Sequence, residues 1–228
     1  MPRRLTRTFF PMTCLVLLTV AVRAQDGARK GRTEFKIELP KPMFVGTPKN
    51  IKTANLENPR KGKRPPLFLP AGCTNVALDK EVTSSDEEPL AGEVEQITDG
   101  DKEGGFGSCV ELNSGKQQIQ IDLEKTTEIH AIVLWHFHSQ ARVYHDIVVQ
   151  TAADPDFIMD VKTVYNSDHD NSAGLGVGKD KEYIETYEGR IIPVKGVKGR
   201  YVRLFSNGST SNEMNHYIEV EIYGKAGE

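Results

Sequence analysis

Gln118-Ile119-Gln120-Ile121-Asp122-Leu123 alternates polar and apolar residues with a period of two. This alternation is typical of a β-strand with one buried face and one solvated face. Four further apolar stretches have the length of strands: 129–135, 144–151, 201–205 and 217–223. No long segment has apolar residues at the i, i+3, i+4, i+7 spacing of an amphipathic helix. Many short strands without helices predict an all-β fold, either a sandwich or a barrel.

The N-terminus has the three parts of a secretory signal peptide. Three arginines within the first seven residues are followed by an apolar stretch over 9–22, and Ala24 ends a segment typical of a cleavage site. The apolar stretch is shorter than the roughly 20 residues that a membrane-spanning helix needs. We therefore expect residues 1–24 to be removed, giving a secreted protein, extracellular or periplasmic, without a transmembrane anchor.

Residues 25–72 differ in composition from the rest of the chain. They contain seven of the twelve prolines, and residues 26–70 carry 11 basic and 4 acidic residues, a net charge of +7. This composition predicts a basic, extended linker or arm. Two apolar islands, at 43–45 and 67–69, are expected to pack on the domain or on a partner. We place the domain at 73–225 and expect residues 71–228 to fold without the arm.

The domain itself is acidic. Residues 71–228 carry 28 acidic and 14 basic residues, a net charge of −14. Such a surface repels phosphate backbones, which excludes nucleic acid as the expected partner. Acidic groups suit a hard cation such as Ca²⁺, although the same charge would also keep an exported domain soluble.

Five short motifs occur in a recognisable order along the strands. They are NVALDKEVTSS at 75–85, ITDGD at 97–101, QIDL at 120–123, RYVRL at 200–204 and EVEIYG at 219–224. In this order they resemble the discoidin, or coagulation factor 5/8 type C, domain family. The resemblance implies a jelly-roll β-sandwich of the galactose-binding-like class. It also implies a binding role without catalysis, in which the partner is carbohydrate or a cell-surface or extracellular glycoprotein.

The acidic loop that starts at Asp99 is the main candidate metal site. Alternating carboxylates around Gly100 allow several oxygens to converge on one cation. An EF-hand is excluded, because Val110 occupies the position of its last ligand and no helices flank the loop. The resemblance implies a structural Ca²⁺ ion bound by the side chains of Asp99, Asp101, Ser108 and Glu219 and by the main-chain carbonyls of Gln96 and Ile218. The alternative is a solvated acidic turn that binds nothing.

A second set of side chains suits a hydroxyl-rich ligand. Aromatic rings stack on the faces of sugars, while imidazole, guanidinium and carboxylate groups hydrogen-bond their hydroxyls. The long polar stretch 154–189 could fold over the same rim of the sandwich as the end of the 129–135 strand. The predicted ligand-binding residues are Trp135, His136, His138, Arg142, Asp168 and Asp170.

Several residues of this set allow other interpretations. Trp135 continues the alternation of its strand, which favours a place in the core. Asp168 and Asp170 fit a second cation loop, and they equally fit a turn-rich loop. His136 and His138 lie on one side of a strand, so a zinc site is a further alternative. Two rival functions are adhesion, in which the basic arm and the apolar islands dock on a protein partner, and a metal-dependent hydrolase that uses the histidines.

Two cysteines remain after removal of the signal peptide, Cys73 and Cys109. In an exported chain two cysteines can form a disulfide. The alternative is a pair of buried free thiols.

Overall fold

The computed structural model describes residues 31–44, 48, 50–60, 62 and 64–227. The signal peptide expected at 1–24 and Val45 of the first apolar island lie outside the described residues. The strands are β1 Arg32–Phe35, β2 Leu67–Pro70, β3 Thr74–Asn75, β4 Val82–Ser84, β5 Val110–Leu112, β6 Gln117–His136, β7 Val148–Ala152, β8 Lys162–Asn166, β9 Arg190–Ser206 and β10 Asn215–Ala226. Two 3₁₀ turns occur at Val94–Thr98 and Phe106–Ser108.

The domain is an antiparallel β-sandwich. Its main path of paired strands runs β3-β10-β6-β9-β7-β8, while β4 joins β6 and β5 joins β10. Every pairing along this path is antiparallel. The all-β sandwich predicted from the period-two patterns is confirmed.

Strand β6 serves both layers of the sandwich. The two stretches predicted as separate strands, 118–123 and 129–135, form one strand of 20 residues. Its pairing with β9 shifts register between Asp122 and Thr127, and Glu124 has a φ of 66° within that interval. The first half pairs with β4 and the second half with β10. A bulge of this kind bends the strand, so one long strand can contribute to two layers.

Strand β7 begins later than its sequence predicts. The apolar stretch 144–151 predicts a strand, but the paired strand is Val148–Ala152. Tyr144 forms only an isolated bridge with Ser209. Asp146 has a φ of 53°, a left-handed conformation that cannot continue an extended ladder. The stretch before β7 therefore becomes a loop at the end of the sandwich.

Apolar side chains from both layers fill the space between them. Ile119 and Ile121 of β6, Leu204 of β9, and Val220 and Ile222 of β10 are all fully buried in this cluster. The partial alternation of each strand follows from this arrangement, because side chains of odd and even positions point to opposite faces.

The Pro-rich arm packs on the outside of this sandwich. Strands β1 and β2 pair with each other, from Arg32 opposite Pro70 to Phe35 opposite Leu67. Their apolar side chains cover the outer face of β6 and β10. This second cluster contains Phe35, Ile37, Leu67 and Leu69 of the arm with Ala131, Val133, Trp135, Phe137, Ile218 and Tyr223 of the sandwich. The second half of β6 is therefore buried on both faces.

In the part of the chain that the structure describes, no helix has the length and apolar character needed to cross a bilayer.

Candidate functional site

Glu219 lies beneath the acidic loop that the sequence predicts as a metal site. Its side chain is fully buried on β10, and the main-chain N–H of Gly100 donates to Oε2 at 3.1 Å. The other oxygen, Oε1, has no hydrogen-bond partner among the described residues. Burial raises the pKa of Glu219 to about 9, and the negative charges of Glu221 and Asp99 act in the same direction. A buried carboxylate oxygen without a partner is costly, so this position suits a bound cation or a proton.

The other predicted ligands of the loop are engaged mainly with one another. Asp99 Oδ1 accepts the N–H of Asp101 at 2.7 Å, and Asp101 Oδ2 accepts the hydroxyl of Ser108 at 2.6 Å. The carbonyl of Gln96 accepts the N–H of Asp99 at 3.5 Å. Ile218 lies in a register shift between β10 and β6. Among the described residues, the carboxylates of the loop and of β10 do not form a group of three within 4.8 Å of one another.

Lys102 anchors the same loop, and the sequence analysis missed it. Its Nζ lies 2.7 Å from Oε1 of Glu221, and both side chains are mostly buried. The ammonium also lies 5.6 Å from the ring centroid of Trp135. Glu221 follows Glu219 by two positions on one strand, so both carboxylates point to the same face. Glu221 binds Lys102, whereas Glu219 faces the acidic loop.

Five of the six side chains predicted to bind a ligand at the rim are buried in the structure. Trp135, His136, His138 and Asp168 are fully buried, and Arg142 is 5% exposed. These residues continue the buried faces of the strand or lie beneath loops, whereas a ligand site needs groups that reach solvent.

Contacts with the arm and with the segment after β8 bury the side chain of Trp135. Its indole belongs to the outer cluster beneath the arm, and Nε1 donates to the carbonyl of Tyr187 at 3.0 Å. Gly189 lies directly against the ring, since a Cβ at that position would be 2.5 Å from the indole Cε2. The core interpretation that the alternation favours is therefore the one that the structure adopts.

The two histidines of β6 and the following loop have different partners. His136 Nδ1 lies 2.7 Å from Oε1 of Glu185, and its ring stacks on Tyr144 at 4.3 Å between centroids. His138 Nε2 lies 3.0 Å from the carbonyl of Lys102. Within the described residues, neither histidine belongs to a group of three potential metal ligands. The arrangement gives no support to the zinc site considered from the sequence.

A polar cleft lies at the end of the sandwich where the loops after β6, β8 and β9 meet. Its volume is about 480 Å³. Asp170 is the one predicted ligand-binding residue that lines it, and this residue is exposed. The full lining is Asn55, His145, Asp146, Ser167, His169, Asp170, Ser172, Glu182 and Asn207.

Asp146 is held rigidly at one side of the cleft. Its Oδ2 accepts the hydroxyl of Ser172 at 2.7 Å and the amide of Asn207 at 2.8 Å. Carboxylate oxygens of Asp146, Asp168 and Asp170 all lie within 4.8 Å of one another. This cluster concentrates negative charge at the base of the cleft.

Asp168 and Asp170 have different roles in the loop. Asp168 is fully buried and accepts the N–H groups of Ser172 and Ala173 at 3.1 and 2.9 Å, so it fixes the loop rather than a ligand. Asp170 accepts the N–H of Ser172 at 3.0 Å while remaining exposed. Hydrogen bonds from Ser172 lower the pKa of Asp170, which keeps it an anionic acceptor at neutral pH.

The arm completes the cleft on its other side. Glu182 donates its N–H to the carbonyl of Asn55 at 3.2 Å, and the hydroxyl of Thr53 donates to its carboxylate. His145 Nδ1 lies 3.3 Å from Oε1 of the same glutamate. No local sequence pattern indicates Asn55, Asp146 and Glu182 as one site, because these residues lie far apart along the chain.

Cys73 and Cys109 are both buried free thiols, so the disulfide considered from the sequence is not formed. They belong to the outer cluster, an apolar environment. Burial raises the pKa of Cys109 to about 12, and it also raises that of Cys73. Both are inert thiols at neutral pH, since the thiolate is the reactive form.

No family model matches the chain, and no curated protein matches it. Among solved structures, it is similar to the CBM32 of AlyQ in complex with 4,5-unsaturated mannuronic acid, with 21% identity over 64% of this chain and 95% of that one and a TM-score of 0.46. A chitosan-binding module from a Paenibacillus sp. IK-5 chitosanase/glucanase has 20% identity, coverage of 66% and 98%, and a TM-score of 0.48. A fucolectin from striped bass (Morone saxatilis) serum has 19% identity, coverage of 68% and 50%, and a TM-score of 0.47. The solved structures to which this β-sandwich is similar thus include carbohydrate-binding modules and a lectin.

Proposed function

We propose that this chain is a secreted, non-catalytic carbohydrate-binding protein, with its glycan site in the polar cleft and a structural Ca²⁺ ion at the acidic loop. The composition of the polar cleft is the observation that supports the proposed glycan site. Carboxylates, imidazoles and amides surround an accessible space of about 480 Å³, a size that suits a small ligand. These groups offer both donors and acceptors, as the hydroxyls of a sugar require.

The cleft groups are pre-organised for such a ligand. Asp146 and Glu182 are each fixed by hydrogen bonds from neighbouring side chains, so little side-chain freedom is lost on binding. Oδ2 of Asp146 already accepts two hydrogen bonds, so a sugar hydroxyl would bond to Oδ1 of Asp146 or to a remaining lone pair of Glu182. Together with Asp170, the carboxylates disfavour acidic sugars, because like charges repel. Neutral sugars and amino sugars are the expected ligands.

Replacing Asp170 should weaken glycan capture without unfolding the domain. We expect Asp170→Ala to lower affinity by about 10- to 100-fold, the effect of losing a hydrogen bond to a charged group. The ligand would first be found on a glycan array with the mature chain, and its affinity then measured by calorimetry. Asp156→Ala is the matched control, since Asp156 is an exposed carboxylate outside the cleft. An array without hits would favour the adhesion hypothesis, and unchanged binding by Asp170→Ala would exclude this cleft.

The proposed calcium site rests on Glu219 and Asp99. The unpartnered Oε1 of Glu219 points to a missing positive charge or proton, and Asp99 lies close enough to affect its ionisation. The proposed ligands all offer oxygen atoms, and Ca²⁺ binds six to eight oxygens in flexible geometry. Asp101 and Ser108 would have to turn from each other towards the ion, a small change within one loop.

Calcium should raise the melting temperature of the protein, because an ion that binds only the native state stabilises it by mass action. The gain is about 2.7 kcal/mol at a free concentration one hundred times the dissociation constant. Differential scanning calorimetry with Ca²⁺ or chelator measures it, and Asp99→Asn should abolish the difference. Glu103→Gln is the control, because Glu103 is an exposed carboxylate of the same loop outside the proposed ligand set. Identical melts with Ca²⁺ and with chelator would rule the site out.

A further inference from the structure

A second cavity lies between the arm and the sandwich and shares no lining residue with the polar cleft. Its volume is about 440 Å³, within the range of small-molecule sites. The arm contributes one wall and the segment 183–193 contributes the other. The cavity exists only because the arm packs against the sandwich.

The walls of this cavity are mainly apolar and rigid. The arm supplies Pro48, Pro59, Pro65 and Pro66, and the sandwich supplies Ile184, Ile191 and Pro193. Proline has a fixed φ and no N–H donor, so a proline-lined wall neither collapses easily nor offers polar groups. An apolar ligand body would therefore bury its surface here without leaving protein donors unpaired.

Three arginines and two glutamates supply the charged part of the lining. Arg190 pairs with Glu57 at 2.7 Å and lies over the ring of Tyr183 at 4.6 Å. Arg60 pairs with the carboxylate of Glu188. These contacts leave the lining with one more cation than anions.

Arg64 is the arginine without a carboxylate of its own. Its guanidinium donates to the main-chain carbonyl of Glu188, and it forms no ion pair with any of the described residues. Burial lowers the pKa of Arg64, the neighbouring carboxylate of Glu188 opposes this shift, and the charge of Arg60 adds to it. A half-buried guanidinium beside an apolar cavity is well placed to bind an anionic group, because both partners are then partly removed from water.

We propose that this cavity binds a small amphipathic anion, with an apolar body against the prolines and a carboxylate or sulfonate on Arg64. The site is separate from the glycan cleft and does not depend on it.

Fluorescent probes can test the site on the mature chain. Anilinonaphthalene sulfonate is an amphipathic anion, and N-phenylnaphthylamine is a neutral analogue of similar shape. We expect saturable binding of the anionic probe at one site per chain. Arg64→Gln should weaken the anionic probe by about tenfold, the effect of losing a charge-assisted hydrogen bond. The neutral probe should bind both proteins equally. Arg32→Gln removes the same charge from an exposed place on the arm outside the cavity and should change neither probe.

Filling the cavity gives an independent test. Ile184→Trp should abolish binding of both probes while the melting temperature stays near that of the parent protein. If this variant is unstable, Thr186→Phe fills the same space from a neighbouring position. Absence of saturable binding would overturn the proposal. The proposal would also be overturned if Arg64→Gln weakened the binding of both probes equally, or if both probes still bound fully after the cavity had been filled.

Discussion

A chain that begins at Ala71 should lose most of the stability of the mature protein. The arm covers the outer face of the sandwich with Phe35, Ile37, Leu67 and Leu69, and the last of these is only 3% exposed. Burying one such side chain contributes about 1.5–3 kcal/mol. Leu69 contributes about this much and the partly buried Phe35, Ile37 and Leu67 less each, and the loss of the arm would also expose the outer face of β6 and β10. Together these losses are a large part of the roughly 5–15 kcal/mol that stabilises a typical domain. The composition break near Cys73 predicts a domain that folds alone, whereas the packing of the arm predicts that such a domain would be much less stable.

Thermal and urea unfolding of the two chains measure the effect. A point substitution separates packing from chain length: Leu69→Ala should cost about 2–5 kcal/mol. Leu39→Ala is its control within the arm, because Leu39 is 40% exposed and should change stability little. If the chain from Ala71 melted at the temperature of the mature protein, the arm would be a linker, as its composition alone indicates.

Replacing Trp135 by alanine should be the most damaging single truncation in this protein. The side chain is fully buried under the arm, and its indole N–H is bonded to Tyr187. Truncating a buried Trp costs about 3–5 kcal/mol through lost contacts and the cavity left behind. For a chain of this size the melting temperature should fall by roughly 10 °C.

Urea titration of Trp135→Ala gives the change in free energy, and Ile158→Ala is the control. Ile158 is 78% exposed, so its truncation should stay within about 0.5 kcal/mol of the parent. A loss below about 1 kcal/mol in Trp135→Ala would mean that the arm does not hold this face closed. The hypothesis that Trp135 binds a ligand at the rim of the sandwich would then be favoured again.

The arm has consequences for binding as well as for stability. Asn55 lines the polar cleft, and Thr53 bonds to Glu182 within it. The same segment also forms part of the wall of the cavity between the arm and the sandwich. A domain expressed without the arm would therefore lack parts of both proposed sites, and binding assays need the mature chain.

The sequence by itself determined the fold class and the main strands β6, β9 and β10, together with most of β7. Gln118 to Leu123 alternates because one face of β6 contacts the core and the other contacts solvent, and that information is local to each residue. The continuous apolar run of the following stretch likewise indicated a strand. The alternating carboxylates indicated the acidic loop, the motif resemblance indicated Glu219, and the structure places the two side by side.

Only the tertiary structure decided which side chains meet. The sequence does not show that the arm covers Trp135. It therefore did not identify the segment that buries Trp135 and the apolar run beside it. It also could not bring Asn55, Asp146 and Glu182 to one cleft, because these residues lie on the arm and on two separate loops. The hydrophobic pattern of a segment indicates which of its residues are buried, whereas the neighbours of each residue depend on how distant segments pack together.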